Sequence, residues 1–207
     1  MADLRETRLS LHALAELLLA GPQFAQSKSI ELRATKGGFG TVEAPDVRVV
    51  RTSLHFDGAV MRLTGRTIAE VAREAGIRPR PLDDIYSGGC GLTVDHPLTV
   101  GETAAAELAE AFRRGDEALA TFAPDAHRVL WPEHFDIGIT VDEVNYGVSP
   151  GDSYLDVPYA YVGPWEPGKF SDSFWNAPFG SARPLLEIGD VAAYFAEGAA
   201  LTRRSPT

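Results

Sequence analysis

The segment WPEHFDIGITVD, residues 131–142, carries the clearest strand pattern in the chain. Its apolar side chains fall on every second residue: Phe135, Ile137, Ile139 and Val141. The residues between them are His134, Asp136, Gly138, Thr140 and Asp142. Because the side chains of a strand alternate between its two faces, the pattern predicts strand structure over 135–146, with one buried face and one polar face.

The polar face of this strand offers a candidate catalytic pair. We expect His134 and Asp136 to be neighbours about 7 Å apart at Cβ, with Gly138 leaving open space beside them. This spacing suits a general acid/base in which Asp136 orients the His134 imidazole. It also suits a metal site that Asp142 or Glu143 would complete. The alternative is a polar face that only meets solvent.

Polar and aromatic residues farther along the chain are candidates for binding a ligand. The polar ones lie in a Gly/Pro-rich stretch and are Asn145, Ser149 and Asp152. The aromatic ones, which could form the walls of a pocket, are Tyr146, Tyr159, Tyr161 and Trp165. Turn chemistry and an ordinary core edge explain the same residues without a ligand. A nucleophilic Ser149 with His134 and Asp152 is conceivable, although Ser-Pro-Gly is not a nucleophile elbow.

Local signals elsewhere predict helices and a hairpin. A leucine stripe predicts the first helix, which should end at Gly21-Pro22. Capping boxes, which begin at Thr67 and Thr99, predict the second and third helices. The expected helical ranges are 4–20, 67–76, 102–122 and 190–203. Residues 29–35 alternate as a strand, and Asp57-Gly58 is typical of a tight hairpin turn.

The order of these elements predicts an α+β fold with a mainly antiparallel sheet and about four helices. We expect a single domain over residues 1–207, since the chain has the length of one ordinary domain. The halves 4–76 and 102–203 share the order helix, strand, Gly-rich turn, further strands, helix. Two similar α-β-β-β-α halves are therefore an alternative to ordinary α+β alternation, although residue identity between the halves is negligible.

Composition excludes some partners. The chain has 19 basic and 29 acidic residues and a formal net charge of −10, which argues against nucleic acid or an anionic membrane as a partner. Cys90 is the only cysteine, so no intrachain disulfide forms. Acidic residues near the start of the chain do not fit a signal peptide, and we expect a cytoplasmic protein.

Several strings of this sequence resemble a group of uncharacterised, chiefly actinobacterial proteins. The strings WPEHFD, NYGVSPGD and PYAYVGPW lie between Trp131 and Trp165. The resemblance extends more loosely to SIELRATKGGFGT and LTGRTIAEVAREAGI in the N-terminal half. It implies one fold over most of the chain and implies no activity, cofactor or catalytic residue.

Three functions remain open on these grounds. The first is a small-molecule-binding protein or enzyme with a pocket over the His134/Asp136 strand face. The second is a metal-dependent enzyme with His and carboxylate ligands. The third is a non-catalytic interaction protein that uses the aromatic, Pro-rich region 154–179, as a homodimer or with another partner.

Overall fold

Ten strands form one antiparallel sheet in the computed structural model, which describes residues 3–204. The first five strands are β1 (Leu32–Thr35), β2 (Gly38–Thr41), β3 (Val47–Val50), β4 (Ser53–Phe56) and β5 (Ala59–Arg62). The second five are β6 (Val129–Trp131), β7 (Asp136–Val141), β8 (Val144–Ser149), β9 (Tyr159–Pro164) and β10 (Ser181–Pro184). Their spatial order is β10-β9-β8-β7-β6-β1-β2-β3-β4-β5, so each half of the chain supplies a five-stranded meander.

The described residues 3–204 contain four helices when continuous segments are counted together. Helix α1 (Leu4–Leu14), a π-helical turn (Ala15–Ala20) and α2 (Gly21–Ser27) form one continuous helix. The other helices are α3 (Ile68–Ala75), α4 (Glu102–Phe122) and α5 (Val191–Arg203). Two short 3-10 turns cover Pro167–Lys169 and Leu185–Glu187. The predicted α+β class, with a mainly antiparallel sheet and about four helices, is confirmed.

The core lies between one face of the sheet and α4. This helix contacts β1 and β2 of the first meander and β7 and β8 of the second. Its Phe112 packs edge-on against Phe39 at 6.2 Å and against Phe135 at 5.1 Å between ring centroids. The residues that alternate with the core residues along each strand lie on the opposite side of the sheet, which we call the outer face. On β7, β8 and β9 it is formed by Asp136, Gly138, Thr140, Asn145, Gly147, Ser149, Tyr159 and Tyr161.

Several local predictions are confirmed. Asp57 and Gly58 both have positive φ, 49° and 76°, in the two-residue turn that joins β4 to β5. Thr67 and Glu70 make both hydrogen bonds of the capping box at the start of α3. The helix predicted over 102–122 has these bounds, and the helix predicted over 190–203 is α5, for which Asp190 is the N-cap.

The strand predicted over 135–146 is instead a hairpin. Residues 132–135 form a turn in which Phe135 has a φ of 53°, so β7 begins only at Asp136. The chain reverses again at Asp142 and Glu143, whose φ angles are 51° and 62°. The apolar positions shift at this turn, from odd-numbered residues up to Val141 to even-numbered residues from Val144, and the prediction of one strand did not take that shift into account.

The predicted end of the first helix at Gly21-Pro22 is also wrong, because the helix continues to Ser27. Pro22 follows the π-helical turn at the start of α2, where a missing N–H is tolerated. A Cβ at residue 21 would collide with the carbonyl oxygen of Arg80. Glycine at this position therefore permits a close approach between two chain segments.

The sheet joins both halves of the chain through β1 and β6, with Leu32 opposite Leu130. Each half has a helix before and after its strands, but it contributes five strands where the predicted α-β-β-β-α unit had three. The similarity of the two halves is not confirmed and stays a prediction. Within residues 3–204, no helix has both the length and the apolar character needed to cross a membrane.

Candidate functional site

A groove of about 1130 Å³ opens where β7 begins, β8 ends and β9 begins. Its other walls come from the start of α1, the turn 132–135 and the loop 149–156. Eight of the nine residues that the sequence nominated line this groove: His134, Asp136, Asn145, Ser149, Asp152, Tyr159, Tyr161 and Trp165. The ninth, Tyr146, does not.

Tyr161 and Asp136 form the most specific contact in the groove. The register places Gly138 opposite Gly147, and Gly147 opposite Tyr161, on the outer face. Because neither glycine has a side chain, the Tyr161 ring lies over both and its hydroxyl donates a hydrogen bond to Asp136 Oδ2. A Cβ on Gly147 would lie 2.5 Å from Tyr161 Cζ. The two glycines are thus required for the tyrosine to reach the carboxylate.

Asp136 is a buried carboxyl group with one oxygen unpartnered. Its residue surface is 7% exposed, and among the described residues Oδ1 has no hydrogen-bond partner. Burial raises the pKa of Asp136, and the hydrogen bond from Tyr161 opposes that rise. Burial and the neighbouring Asp136 carboxyl also raise the pKa of Tyr161 well above its usual value, so this hydroxyl remains a donor. The Oδ1 atom thus lacks the hydrogen-bond partner that buried polar atoms normally have.

The loop after β8 is held in a defined shape at the side of the groove. The Asp152 carboxylate accepts hydrogen bonds from the Tyr154 N–H at 2.7 Å and from the Tyr159 hydroxyl at 2.6 Å. Ser149 Oγ accepts from the Gly151 N–H at 3.1 Å. Burial and Asp152 raise the pKa of Tyr159. The turn chemistry that the sequence suggested is present in Ser149 and Asp152.

The structure does not assemble the conceivable Ser149, His134 and Asp152 triad. Ser149 is buried and takes its hydrogen bond from its own loop, while Asp152 binds the backbone and Tyr159. None of the hydrogen bonds within residues 3–204 joins His134 to either of them. The geometry therefore gives no support to serine nucleophilic chemistry.

His134 reaches the same groove as Asp136 without a hydrogen bond to it. Its side chain is 71% exposed in the turn before β7, and its nearest carboxylate oxygen, on Glu133, lies 3.9 Å away. His134 acts on Asp136 only through charge, which lowers the pKa of that carboxyl against the larger effect of burial. Because β7 begins at Asp136, the predicted pairing of the two residues on one strand is not formed. Their catalytic roles stay a prediction.

The predicted metal ligands are separated by the hairpin. Asp142 and Glu143 form the turn at the end of β7, whereas Asp136 is its first residue. Asp142 is six residues after Asp136, and six residue steps along a strand span about 20 Å, far beyond the reach of ligands on one ion. The part of the chain that the structure describes contains no cluster of three His, Cys, Asp or Glu side chains suited to a metal.

Tyr146 belongs to the core and not to the groove. It is 2% exposed and packs against Phe122 at 4.7 Å and Phe195 at 5.9 Å between ring centroids. The prediction of Tyr146 as a pocket wall is therefore wrong. Val144 and Val148 lie on the same side of β8, and this apolar alternation in the sequence was the signal that could have placed it.

Asn145 and Trp165 occupy the other end of the outer face. Asn145 Oδ1 accepts a hydrogen bond from Thr140 Oγ1 at 2.8 Å and a longer one, 3.5 Å, from Trp165 Nε1. The Trp165 side chain is otherwise open, with 62% of its residue surface exposed. An exposed indole at a groove is available to stack on a bound molecule.

Residues of α1 that the sequence analysis did not select also line the groove. They are Arg5, Arg8, Leu9 and His12. Arg8 is 7% exposed and donates to Asp156 Oδ1 at 2.6 Å, which ties the loop to the helix. His12 donates from Nε2 to the Pro132 carbonyl at 2.7 Å, and burial lowers the pKa of its imidazole. No local signal in the sequence could have found these contacts.

Cys90 also lines the groove, beside a buried glutamate. Glu16 accepts hydrogen bonds from the Cys90 N–H at 2.7 Å and the Tyr86 hydroxyl at 2.9 Å. Burial and Glu16 raise the pKa of the Cys90 thiol to about 12. A thiol with this pKa is protonated at neutral pH and is not an activated nucleophile.

Comparisons with known proteins add no relative to this description. No protein family, no curated protein and no solved structure matches the chain.

Proposed function

We propose that the protein binds a small organic molecule in the groove over the outer face of β7, β8 and β9. The observation that carries this proposal is the Tyr161–Asp136 pair, which two glycines permit and in which Asp136 Oδ1 has no partner among residues 3–204. Concave sites with aromatic walls and a few directed polar groups are typical of ligand binding.

The composition of the walls supports the same proposal. Tyr159 and Tyr161 lie 6.4 Å apart between ring centroids, and Trp165 is exposed beyond them. Arg8 and Asp152 hold the loop that forms the side wall, so the groove does not depend on a ligand for its shape. A largely pre-formed site loses little conformational entropy when it binds.

The proposal is tested by ligand-observed NMR with a library of small organic fragments on the full chain. We expect a set of fragments whose binding is lost in Tyr161→Phe and weakened in Trp165→Leu. Trp131→Leu is the matched control, because Trp131 is also exposed and does not line the groove. Fragments that bind all three variants like the unmodified protein, or a library without hits, would overturn the proposal.

A non-catalytic interaction protein is the second candidate, and one observation favours it. Three exposed large side chains lie in the first part of the region 154–179: Tyr154, Val157 and Trp165. Apolar surface that is contiguous and exposed marks protein interaction sites. A partner complex or homodimer that Tyr154→Ser and Val157→Ser disrupt would support this candidate over the first.

The wider expectations from the sequence remain part of the proposal. A formal net charge of −10 disfavours nucleic acid and anionic membranes as partners. We also propose a cytoplasmic location, which the acidic residues near the start of the chain favour, and membership of the actinobacterial group, which the strings between Trp131 and Trp165 favour.

A further inference from the structure

We propose that the ligand of the groove is an organic cation, a small molecule with a protonated amine on an apolar body. This inference rests on the proposed function and specifies its ligand class. Three features of the groove point to it: the sign of its charge, the unpartnered oxygen of Asp136 and its aromatic walls.

The charge of the groove is negative. Four acidic residues line it, of which Asp136 is buried and the other three are Glu133, Asp152 and Asp156. The arginines that line it are Arg5 and Arg8, and Arg8 is already paired with Asp156 at 2.6 Å. An anionic ligand would have to approach the remaining carboxylates, whereas a cationic ligand is attracted to them.

Asp136 provides a built acceptor for such a ligand. It lies on the floor of the groove, 7% exposed, with Oδ2 occupied by the Tyr161 hydroxyl and Oδ1 free of any partner in the described chain. Leaving a buried carboxyl oxygen without a donor is unfavourable, and a charged donor offsets this cost best. An ammonium group at Oδ1 supplies the hydrogen bond, and its positive charge favours the ionised form of the carboxyl that burial disfavours.

The aromatic walls suit the same group. Tyr159 and Tyr161 present their rings on the floor of the groove beside Asp136, and Trp165 stands exposed at one end. The faces of aromatic rings attract ammonium groups, and tryptophan does so most strongly. An apolar body next to the charged nitrogen would also cover the exposed indole.

The test compares three probes that share a phenyl ring and a short chain but differ in charge. They are phenethylamine, phenethyl alcohol and phenylpropionate, titrated into the full chain and followed by NMR. We expect phenethylamine to bind about tenfold or more tightly than the alcohol, as one desolvated ion pair or cation–π contact supplies. Added salt should reduce this preference in the unmodified protein.

Asp136→Asn tests the acceptor, and Asp125→Asn, at an exposed carboxylate outside the groove, is the matched control. We expect Asp136→Asn to abolish the preference for the amine, and Asp125→Asn to retain it. If the alcohol or the phenylpropionate binds as tightly as the amine and Trp165→Leu weakens that binding, the cation inference fails while the proposed function stands. If none of the three probes binds, the cation inference is overturned, and the fragment library decides the proposed function separately.

Discussion

At the scale of single residues, the position of Tyr161 depends on two neighbouring residues that have no side chain. Gly138 and Gly147 leave room for its ring. Its hydroxyl can therefore donate a hydrogen bond to Asp136, the first residue of β7. The alternation of β9 predicts which face Tyr161 lies on. It does not predict that two glycines of β7 and β8 lie beneath the ring, because that depends on the register of three strands.

Gly147→Ala should destabilise the protein through this contact. The new Cβ would lie 2.5 Å from Tyr161 Cζ and 2.6 Å from the Ile137 carbonyl oxygen, so the ring must move. We expect the free energy of unfolding to fall by about 1–3 kcal/mol, as overpacking does elsewhere. Chemical denaturation measures the change, and Gly168→Ala, with no atom within 4 Å of its Cβ, is the control. Equal stability of both variants would contradict the packing described here.

The Asp136 carboxyl should make stability depend on pH. Burial raises its folded-state pKa above the ordinary value of 3.8. Between pH 3.8 and the raised folded-state pKa, the unfolded chain has released this proton while the folded protein keeps it. The free energy of unfolding therefore falls as pH rises from 3.8 to the folded-state pKa. Asp136→Asn removes the titration, and its stability relative to the unmodified protein should therefore increase from acidic to neutral pH.

Denaturation curves across this pH range measure the Asp136 effect. Asp125→Asn controls for the loss of a negative charge, since Asp125 is exposed. A stability difference between Asp136→Asn and the unmodified protein that stays constant with pH would show that Asp136 is not held protonated by burial.

At the scale of elements, the two capping boxes show how a local signal can succeed or fail. Thr67 and Glu70 form theirs, because both partners lie within the first turn of α3. Thr99 and Glu102 do not form a capping box. The Thr99 N–H donates to Ser10 Oγ on α1 instead, and Gly101 is the N-cap of α4. A contact between distant segments thus replaced a motif that the sequence alone favours.

The first helix holds the segment before α4 through a buried carboxylate. Glu16, in the π-helical turn, accepts from the Tyr86 hydroxyl and the Cys90 N–H. Glu16→Gln leaves one of these donors facing an amide NH₂ group, so we expect a loss of about 1–3 kcal/mol in the free energy of unfolding. Limited proteolysis should also cut residues 83–95 faster than in the unmodified protein.

Glu107→Gln is the control for that experiment, because Glu107 is exposed on α4. Proteolysis of residues 83–95 at the same rate in both variants would mean that Glu16 does not hold this segment in place.

At the scale of the whole molecule, α4 makes one core from two meanders. Phe112 contacts Phe39 of the first meander and Phe135, next to β7, of the second. The meanders themselves are joined through β1 and β6 over a short stretch of pairing. We therefore expect the two halves to unfold together, with α4 as the element that couples them.

Phe112→Ala should lower the free energy of unfolding of the entire protein by about 3–5 kcal/mol, the usual cost of emptying a buried phenylalanine site. All three tryptophans, Trp131, Trp165 and Trp175, lie in the second half, whereas far-UV circular dichroism follows both halves. The two signals should give one coincident transition in the unmodified protein. Leu186→Ala, at a residue that is 92% exposed, should change little. Separate transitions would show that the halves fold independently.

The sequence by itself determined the fold class and most local structure. The Asp57-Gly58 turn, the Thr67 cap and the bounds of α4 depend on residues a few positions apart, so their preferences are visible in the linear order. The sequence also nominated most of the residues that line the groove, because polar and aromatic side chains alternate with apolar ones in that region.

Only the tertiary structure decided how those residues meet. The Tyr161–Asp136 contact joins residues 25 positions apart, and the Arg8–Asp156 contact joins residues 148 positions apart. Tyr146 lies in the core and Tyr161 lines the groove, although both are tyrosines on the neighbouring strands β8 and β9. Contacts of this kind depend on strand register and on which face α4 covers. Both are set by burial of apolar surface over the whole chain and not by local preference.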